Sequence, residues 1–382
     1  MGGNGLLELP GTVRARDPEQ TWELLAGRLT KYGITRVADL TGLDTIGLPV
    51  WTAIRPASRT LSTSQGKGAT NLLAKISAVM EAIELWHVEQ PLPAAAHGPA
   101  QDIGPHCSLT ALPLTVPYTA DVLERMVWEW TAGSGLVSGD KMLMPLDVVR
   151  RRVQRPEWSP DLLRATSTGL ACGTTRDEAL LHALCEVVER DVLYRDGQSG
   201  GRRRTLIAPG TVDDPYARDV LDRLTAAQMA VEIALVDGPY GLPVALAYLW
   251  SEDLPMVFAG GGCHPSPAIA LTRALTEAAQ SRLTLISGTR DDLPSEPAST
   301  DQVPDFRPAQ STGLADWQQA TAGFAPARRG FADQVAETAR RIQRVTRHEP
   351  VALDLSDPAE PIHAVQVVAP GTRSRITRSM PR

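Results

Sequence analysis

Three stretches of this sequence carry polar side chains at positions i, i+4 and i+7, a spacing that returns to one face of an α-helix. Apolar residues flank the polar ones in each stretch, so these faces are predicted to border buried surface. The three sets are Ser77, Glu81 and Glu84; His182, Glu186 and Glu189; and Arg273, Glu277 and Gln280. A chain with three such helices has to place several carboxylates in poorly hydrated surroundings.

The first two stretches align with each other without a gap, since residues 68–84 match residues 173–189 position by position. A glycine-rich segment also precedes each of the three helices: Ser64–Gly68, Thr166–Gly173 and Ala259–Gly262. We predict that these segments are turns. The free backbone N–H groups at the start of a helix that follows such a turn are suited to bind phosphate.

Carboxylates on such faces require a cation. Two of them about 4 Å apart repel each other by about 4 kcal/mol at an effective dielectric constant near 20, and burial also costs them hydration. Magnesium prefers oxygen ligands and retains several waters, so the pattern predicts Mg²⁺ bound against a polyphosphate. The candidate metal ligands are Glu81, Glu84, Glu186, Glu189, Glu277 and the neutral oxygen donor Gln280.

Three basic residues accompany the carboxylates. Lys67 lies between two glycines, while Arg190 and Arg282 follow the second and third polar sets. The segment around Lys67 resembles a phosphate loop, but it lacks the Walker A spacing and the Ser or Thr that would follow the lysine. Together with Mg²⁺, these basic side chains predict a site that binds the phosphates of ATP.

His182 occupies the position of Ser77 in the aligned pair, and we interpret it as a hydrogen-bonding member of the site rather than a base. No Ser-His-Asp or Cys-His arrangement can be assembled from the spacing, so no catalytic side chain is assigned. An isolated E-x-x-E pair would most simply be a solvated acidic face. Three copies bracketed by apolar residues favour a binding site instead.

Composition excludes several classes of function. The chain has 382 residues, 43% of them hydrophobic and 21% charged, as is typical of a globular protein. Its net charge of −6 argues against non-specific binding to nucleic acid or to a membrane surface. The four cysteines form no C-x-x-C pair, and no signal sequence or long apolar run is present. A cytoplasmic location is expected.

The order of predicted elements indicates an α+β fold. Strand-like and helix-like segments do not alternate regularly, and several strands look antiparallel, such as the pair around residues 237–241. No G-x-G-x-x-G opens a βαβ unit, which argues against a dinucleotide-binding Rossmann domain.

The combined motifs resemble the YcaO family from about Thr60 to Asp292, and more loosely to Gly371. They are Ser64–Gly68, Ser77-x-x-x-Glu81-x-x-Glu84, Thr166–Gly173, Glu186-x-x-Glu189-Arg190, Glu277-x-x-Gln280-x-Arg282 and Ser287–Asp292. The resemblance implies a YcaO-type fold of mostly antiparallel sheets, with helices enclosing a non-Walker ATP site. It also implies that residues 60–382 form the catalytic domain, with the ATP-site motifs within 60–292. Residues 1–59 would be a helix and strand segment integral to this fold.

The same resemblance implies ATP-dependent activation of a peptide backbone amide, with ATP and Mg²⁺ as cofactors. A nucleophile attacks the amide carbon, and the phosphorylated oxygen leaves as phosphate. By position, the family's magnesium ligands fall on the six oxygen donors named above. Its nucleotide contacts fall on Lys67, Ser77, Arg190 and Arg282, with His182 beside them.

Two departures from the family pattern bear on the product. Leu85 follows Glu84 where many relatives have Arg, and the tail Arg378–Arg382 lacks the alternating prolines typical of azoline-forming members. The length leaves no room for a fused leader-peptide-binding domain. We therefore expect a stand-alone, homodimeric enzyme that acts on a ribosomally made precursor peptide, with a separate leader-binding or sulfur-transfer partner as an option.

Three functions are weighed. The first is cyclodehydration of the peptide to an azoline or a macrocyclic amidine. The second is thioamide formation with a separate sulfur-handling, TfuA-like partner. The third, from another class, is a non-catalytic peptide-binding scaffold, which the complete carboxylate set argues against.

Overall fold

The computed structural model of the protein describes residues 6–150, 161–289, 313–324 and 330–374. The C-terminal tail that bears on the product class lies outside the described residues, as do residues 290–292 of the last family motif.

The helices follow the chain in this order: α1 Pro18–Ala26, α2 Asn71–Val88, α3 Ala100–Ile103, α4 Ala120–Arg125, α5 Arg176–Gln198, α6 Pro215–Ala226, α7 Pro267–Ser287, α8 Trp317–Thr321 and α9 Phe331–Thr346. The strands are β1 Leu7–Leu9, β2 Thr12–Arg14, β3 Arg36–Asp39, β4 Val50–Ile54, β5 Thr63–Lys67, β6 Ala96–Pro99, β7 Val127–Gly135, β8 Lys141–Pro145, β9 Leu170–Gly173, β10 Arg204–Ile207, β11 Ala230–Val236, β12 Val244–Trp250, β13 Phe258–Cys263, β14 Val351–Asp354 and β15 His363–Val368. Among these helices, none is both long enough and apolar enough to span a lipid bilayer.

The strands form antiparallel sheets. Their orders are β1-β2, β3-β4-β5, β10-β11-β12-β13 and β6-β7-β14-β15-β9, with β8 paired to β7. Every ladder between the named strands is antiparallel. The predicted α+β class with antiparallel sheets is therefore confirmed. Because β3 and β4 pair with β5, the chain before residue 60 shares a sheet with the first motif.

Each helix that carries a polar set follows directly on a strand at the end of its sheet: α2 follows β5, α5 follows β9 and α7 follows β13. Thr70 and Thr175 cap α2 and α5 by accepting hydrogen bonds from the backbone N–H groups of Leu73 and Glu178, both at 3.2 Å. Most of the other faces of these helices are buried, and the polar sets, apart from the buried Glu189, lie on the less buried side of each helix.

Two of the glycine-rich segments, Ser64–Gly68 and Ala259–Gly262, are mainly strand rather than the predicted turns, whereas Thr166–Gly173 contains a turn at Ser167–Gly169 that leads into strand β9. A Cβ atom on Gly66 of β5 would lie 2.0 Å from the backbone nitrogen of Ala78 in α2. On Gly262 of β13 it would lie 2.0 Å from the carbonyl oxygen of Ala270 in α7. Glycine is needed here because strand and helix touch at backbone distance, which a side chain would prevent. This close packing holds each polar set next to its strand.

Candidate functional site

The polar faces of α2, α5 and α7 meet in one region. Glu84 on α2 lies within electrostatic reach of Glu186 on α5, and Glu186 lies within reach of Glu277 on α7. The ammonium group of Lys67, at the end of β5, interacts with the charges of Glu277 and Glu81. Acidic oxygens from three helices therefore surround a common space.

Glu189 is the most deeply buried carboxylate of this cluster, with 8% of its side chain exposed. Its Oε1 atom is buried and has no hydrogen-bond partner among the described residues, and Nη1 of Arg190 lies 3.5 Å from it. Burial raises the pKa of Glu189 to about 7; Arg190 opposes this shift, and the charges of Glu277 and Glu186 add to it. The carboxylate thus lacks a sufficient positive partner in the protein.

Glu186 and Glu84 show the same imbalance. Burial raises the pKa of Glu186, and Arg190, 3.5 Å away, opposes the shift only in part. Burial raises the pKa of Glu84 well above its ordinary value, and the neighbouring charge of Glu81 raises it further. Arg190 and Arg273 offset the pKa rise of the α5 carboxylates only in part, and a group of largely buried carboxylates of this kind is suited to bind a divalent cation.

The acidic groups do not by themselves form a closed metal cage. Within the described ranges, no group of three or more His, Cys, Asp or Glu side chains is arranged to hold a metal ion. Magnesium commonly takes one or two protein carboxylates and completes its shell with water and substrate phosphates. The unpartnered oxygen of Glu189 and the raised pKa values of its neighbours fit such an ion.

Two cluster carboxylates also hold the segment that leads into β9. Glu84 Oε1 accepts a hydrogen bond from the backbone N–H of Cys172 at 2.8 Å. Glu186 Oε2 accepts one from the backbone N–H of Gly169 at 3.1 Å. Helices α2 and α5 therefore fix the Thr166–Gly173 motif against the acidic cluster.

Lys67 and Gln280 form a direct contact across two elements. The Lys67 ammonium donates to Gln280 Oε1 at 2.9 Å, and Gln280 Nε2 donates to the carbonyl oxygen of Gln65 at 3.1 Å. Burial lowers the pKa of Lys67, while the charge of Glu277 opposes that shift. The arrangement joins β5 to α7 and keeps the lysine beside the carboxylates.

Ser77 and Glu81 lie on the same face of α2 as Glu84, and both are half-buried. The backbone of Ser77 packs against Gly66 of β5. Both residues therefore border the common space, as the helical spacing predicted.

His182 and Arg273 form a pair that sequence reasoning did not anticipate. Nη2 of Arg273 lies 2.8 Å from Nε2 and 3.0 Å from Nδ1 of His182. Burial lowers the pKa of His182 well below its ordinary value, and the positive charges of Arg273 and Arg14 lower it further. Burial and the neighbouring positive charges therefore both disfavour a protonated imidazole. The sequence analysis placed Arg273 in the third polar set but gave it no role in the site. Its position one helical turn before Glu277 was the signal that could have identified it.

Arg14 and His264 were also missed. Arg14 extends from the β1-β2 hairpin to within 4.0 Å of Glu178, and its charge reaches both Arg273 and His264. Burial lowers the pKa of His264 to about 3, with Arg273 and Arg14 adding to the effect. No periodic pattern connects the hairpin to the helices, so the sequence contained no signal for Arg14.

Arg282 lies apart from the cluster and is paired with other residues, while its role as a phosphate contact stays a prediction. Its guanidinium is 2% exposed and donates to Asp44 at 3.0 Å, to Ser251 at 2.7 Å and to Asp253 at 2.7 Å. Arg282 follows Gln280 by two positions, which turns it about 200° around the helix. Its side chain therefore stabilises the contact of α7 with neighbouring loops.

The fold and the cluster define a class of protein in which acidic side chains from three helices of an antiparallel α+β structure meet, and its sequence has neither a Rossmann nor a Walker A phosphate loop. The family model for YcaO, described as "YcaO cyclodehydratase, ATP- and Mg²⁺-binding", matches residues 65–373. The chain belongs to the YcaO family, which confirms the resemblance seen in the sequence. ATP and Mg²⁺ are accordingly its cofactors.

Individual relatives agree with this assignment. An uncharacterized protein of Mycobacterium tuberculosis is 35% identical over 368 residues, covering 94% of this chain and 82% of the relative. An uncharacterized protein from the tfuA 3′ region of Rhizobium leguminosarum bv. trifolii is 32% identical over 375 residues, covering 94% and 88%. The solved structure of YcaO from Methanopyrus kandleri, bound with AMPPCP and Mg²⁺, superposes with a TM-score of 0.72. It is 20% identical and covers 99% of this chain and 97% of that chain, which confirms the YcaO-type fold.

Proposed function

We propose that this protein uses ATP and Mg²⁺ to phosphorylate the oxygen of a peptide backbone amide. The observation that carries the proposal is the meeting of carboxylates from α2, α5 and α7, among which Glu84, Glu186 and Glu189 have raised pKa values that the neighbouring protein cations offset only in part. Membership of an ATP- and Mg²⁺-binding family supports the identity of the missing cations and of the phosphate donor.

The residues divide into two groups in this proposal. Oxygen donors that would hold Mg²⁺ are Glu81, Glu84, Glu186, Glu189, Glu277 and Gln280. Side chains that would contact the nucleotide are Lys67, Ser77, His182 and Arg190, to which we add Arg273 and Arg14. The contact of His182 with Arg273, at 2.8 Å, suits a hydrogen-bonding role for the imidazole, and its lowered pKa is consistent with that role.

In the proposed chemistry no protein side chain forms a covalent bond to the substrate. An amide oxygen is a poor leaving group, because it would depart as a strongly basic oxyanion. Transfer of the terminal phosphoryl group of ATP forms an oxygen–phosphorus bond at the amide and releases ADP. Attack by a nucleophile on the amide carbon then expels the oxygen as inorganic phosphate. Catalysis of phosphoryl transfer rests on positioning and charge neutralisation, which this cluster is suited to supply.

For the product, we propose cyclodehydration of a precursor peptide to an azoline or a macrocyclic amidine. The nucleophile is then a side chain or amine of the peptide itself. The description of the family as cyclodehydratases supports this outcome.

Thioamide formation is a second candidate, because one relative at 32% identity lies in a tfuA 3′ region. In that case the nucleophile is a sulfur donor supplied by a separate, TfuA-like partner. The product keeps the linear peptide and exchanges one amide oxygen for sulfur.

One experiment separates these outcomes. The protein is incubated with ATP, Mg²⁺ and the peptides encoded beside its gene, and the masses of the peptides are measured. Loss of water indicates cyclisation, and oxygen-to-sulfur exchange in the presence of a sulfur-handling partner indicates thioamidation. An unchanged mass together with no phosphate release would refute amide activation and favour a binding scaffold. A homodimer, a cytoplasmic location and a domain boundary near residue 60 stay predictions.

A further inference from the structure

One face of strand β5 carries only polar side chains, and this face lies against α7. Gly66 packs against α2, so the strand residues on either side of it point the other way, because side chains alternate along a strand. These residues are Thr63, Gln65 and Lys67. Each of them forms a hydrogen bond to α7 or to the segment directly after it.

The polar set of α7 continues beyond Gln280 on the same side of the helix. Thr284 and Ser287 follow Arg273 at i+11 and i+14, which keeps the alternating spacing of four and three residues. The contact of this side of the helix with β5 is here called the polar seam. It consists of Thr63, Gln65 and Lys67 on the strand and of Gln280, Thr284, Ser287 and Thr289 opposite them.

Gln65 lies in the middle of the polar seam and is 5% exposed. Its side-chain nitrogen donates to the hydroxyl of Thr289 at 2.7 Å, and its side-chain oxygen accepts from the hydroxyl of Thr284. Its backbone carbonyl accepts from Nε2 of Gln280 at 3.1 Å. One strand residue is therefore bound at three points to α7 and the segment that follows it.

The bond to the Gln65 carbonyl fixes the orientation of the Gln280 amide. Because Nε2 of Gln280 donates to that carbonyl, Oε1 faces Lys67, whose ammonium donates to it at 2.9 Å. The opposite orientation would place the amide N–H groups against an ammonium and its oxygen against a carbonyl, so neither contact could be a hydrogen bond. Gln280 therefore presents its oxygen on the side of Lys67.

We propose that Gln65 is a positioning residue that holds Lys67 and Gln280 in place for ATP and Mg²⁺, an inference that rests on the proposed nucleotide site. Residues behind the ligands of a metal site commonly fix the orientation of those ligands. Movement of β5 along α7 would separate the polar pairs and leave buried groups without partners, which costs free energy. The polar seam thus selects one register of strand against helix, and Gln65 acts through the two side chains that this register places.

Gln65→Met removes both side-chain hydrogen bonds at nearly unchanged length. The neighbouring hydroxyls keep a second contact, because Thr284 can donate to the carbonyl of Gln280 at 2.7 Å and Thr289 lies 3.0 Å from the hydroxyl of Ser287. The variant is therefore expected to fold.

The first measurement is calorimetric binding of AMPPCP with Mg²⁺. We expect Gln65→Met to bind roughly tenfold more weakly than wild type, because Lys67 and Gln280 are no longer held in one arrangement. Gln334→Met on α9 is the matched control, since this glutamine is also buried, at 8% exposure. Its affinity should equal that of wild type.

The second measurement reports the position of Lys67 without nucleotide. Acetic anhydride acetylates free amines, and mass spectrometry gives the rate at Lys67 relative to the exposed Lys141. In Gln65→Met the relative rate at Lys67 is expected to rise severalfold, because its ammonium is less firmly bound to Gln280. In Gln334→Met the relative rate should be unchanged.

A double variant separates positioning from a general structural role. If Gln65 acts through Gln280, Gln65→Met should weaken AMPPCP binding much less in a Gln280→Met background than in wild type. Equal losses in the two backgrounds would mean that Gln65 acts independently of Gln280, and the inference would be wrong.

Unchanged affinity together with unchanged acetylation of Lys67 in Gln65→Met would also overturn the positioning role, while leaving the nucleotide site intact. Should Gln65→Met not fold, Thr289→Val replaces it under the same criteria, because it removes the acceptor of the Gln65 amide nitrogen. If wild type itself binds no AMPPCP with Mg²⁺, the proposed function fails, and the positioning role fails with it whatever the rate of acetylation.

Discussion

Two glutamates near the end of α2 have opposite environments. Glu89 is 5% exposed, and its carboxylate accepts hydrogen bonds from Arg55, Ser58 and Thr60. Burial alone would raise the pKa of Glu89, but these hydrogen bonds outweigh burial, and the pKa is lowered. Glu84 accepts one backbone hydrogen bond and faces other carboxylates, so burial raises its pKa well above the ordinary value.

The difference separates a structural charge from a functional one. A buried carboxylate with a complete set of donors stabilises the fold only as long as its partner remains. A buried carboxylate that lacks a full set of donors lowers the stability of the free protein. It marks a place where a bound ligand can supply the missing positive charge. Four tests examine this distinction, and the largest effect is expected where the carboxylate has its full set of donors.

Glu89→Gln removes the negative partner of a buried arginine. Arg55, whose side chain is 5% exposed, would remain charged without a counter-ion. We expect a loss of about 3 kcal/mol in the free energy of unfolding, measured by denaturant titration. Glu84→Gln is the matched control, and it should leave stability unchanged or raise it. Equal losses in both variants would contradict the comparison.

Glu186→Gln and Glu277→Gln remove candidate metal ligands while keeping the shape of the side chains. We expect phosphate release to fall by about 100-fold or more in each variant, because a charge that neutralises the transferring group is lost. Thermal unfolding should show an intact fold. Glu337→Gln on α9, whose carboxylate contacts Arg341 far along the chain from the cluster, serves as control. Unaltered turnover in both cluster variants would refute the metal assignment.

The part of the site carried by helices could be predicted from sequence. The spacing of Glu186 and Glu189, or of Arg273 and Glu277, depends only on the local geometry of an α-helix, so the shared face follows from 3.6 residues per turn. That the faces of three helices meet is seen in the structure, while their binding roles stay predictions. The same geometry places Arg282 off the helix face shared by Arg273, Glu277 and Gln280. The sequence analysis nevertheless assigned Arg282 to the site, because it matches the family motif.

Two features depended on tertiary contacts that no local pattern reports. Gly66 and Gly262 were interpreted as turn residues, because composition does not distinguish a glycine in a turn from one in a strand pressed against a helix. Arg14 reaches the site only because the β1-β2 hairpin packs on α6 and α7 through Gly11, which contacts Tyr216 and Thr272. Such long-range packing lies outside what periodicity can indicate.

Arg273→Lys and Arg282→Lys compare the two faces of α7. Lysine keeps the charge but loses the planar set of donors. Arg273→Lys is expected to weaken binding of AMPPCP with Mg²⁺ roughly tenfold in calorimetry, without loss of stability. Arg282→Lys is expected to lower stability by about 1–2 kcal/mol, because buried hydrogen bonds to Asp44 and Ser251 are lost, while nucleotide affinity is retained. Weaker AMPPCP binding in Arg282→Lys together with unchanged affinity in Arg273→Lys would contradict this comparison and would support Arg282 as the nucleotide contact.

The last test is a pH dependence of stability in protein free of nucleotide and metal, where the effect per pH unit is small. The pKa of Glu189 is about 7 in the folded protein, against an ordinary value of 4.5, so the folded state binds more protons between these values. Stability should therefore fall as pH rises from about 4.5 through 7, by at most about 1.4 kcal/mol per pH unit for one proton. Denaturant titrations at pH 5, 6 and 7 measure this slope, and Glu189→Gln should reduce it. Saturating Mg²⁺ and AMPPCP should reduce it as well, because cations favour the ionised carboxylate. Identical slopes in wild type and variant would mean that Glu189 is already compensated within the protein, as Glu89 is.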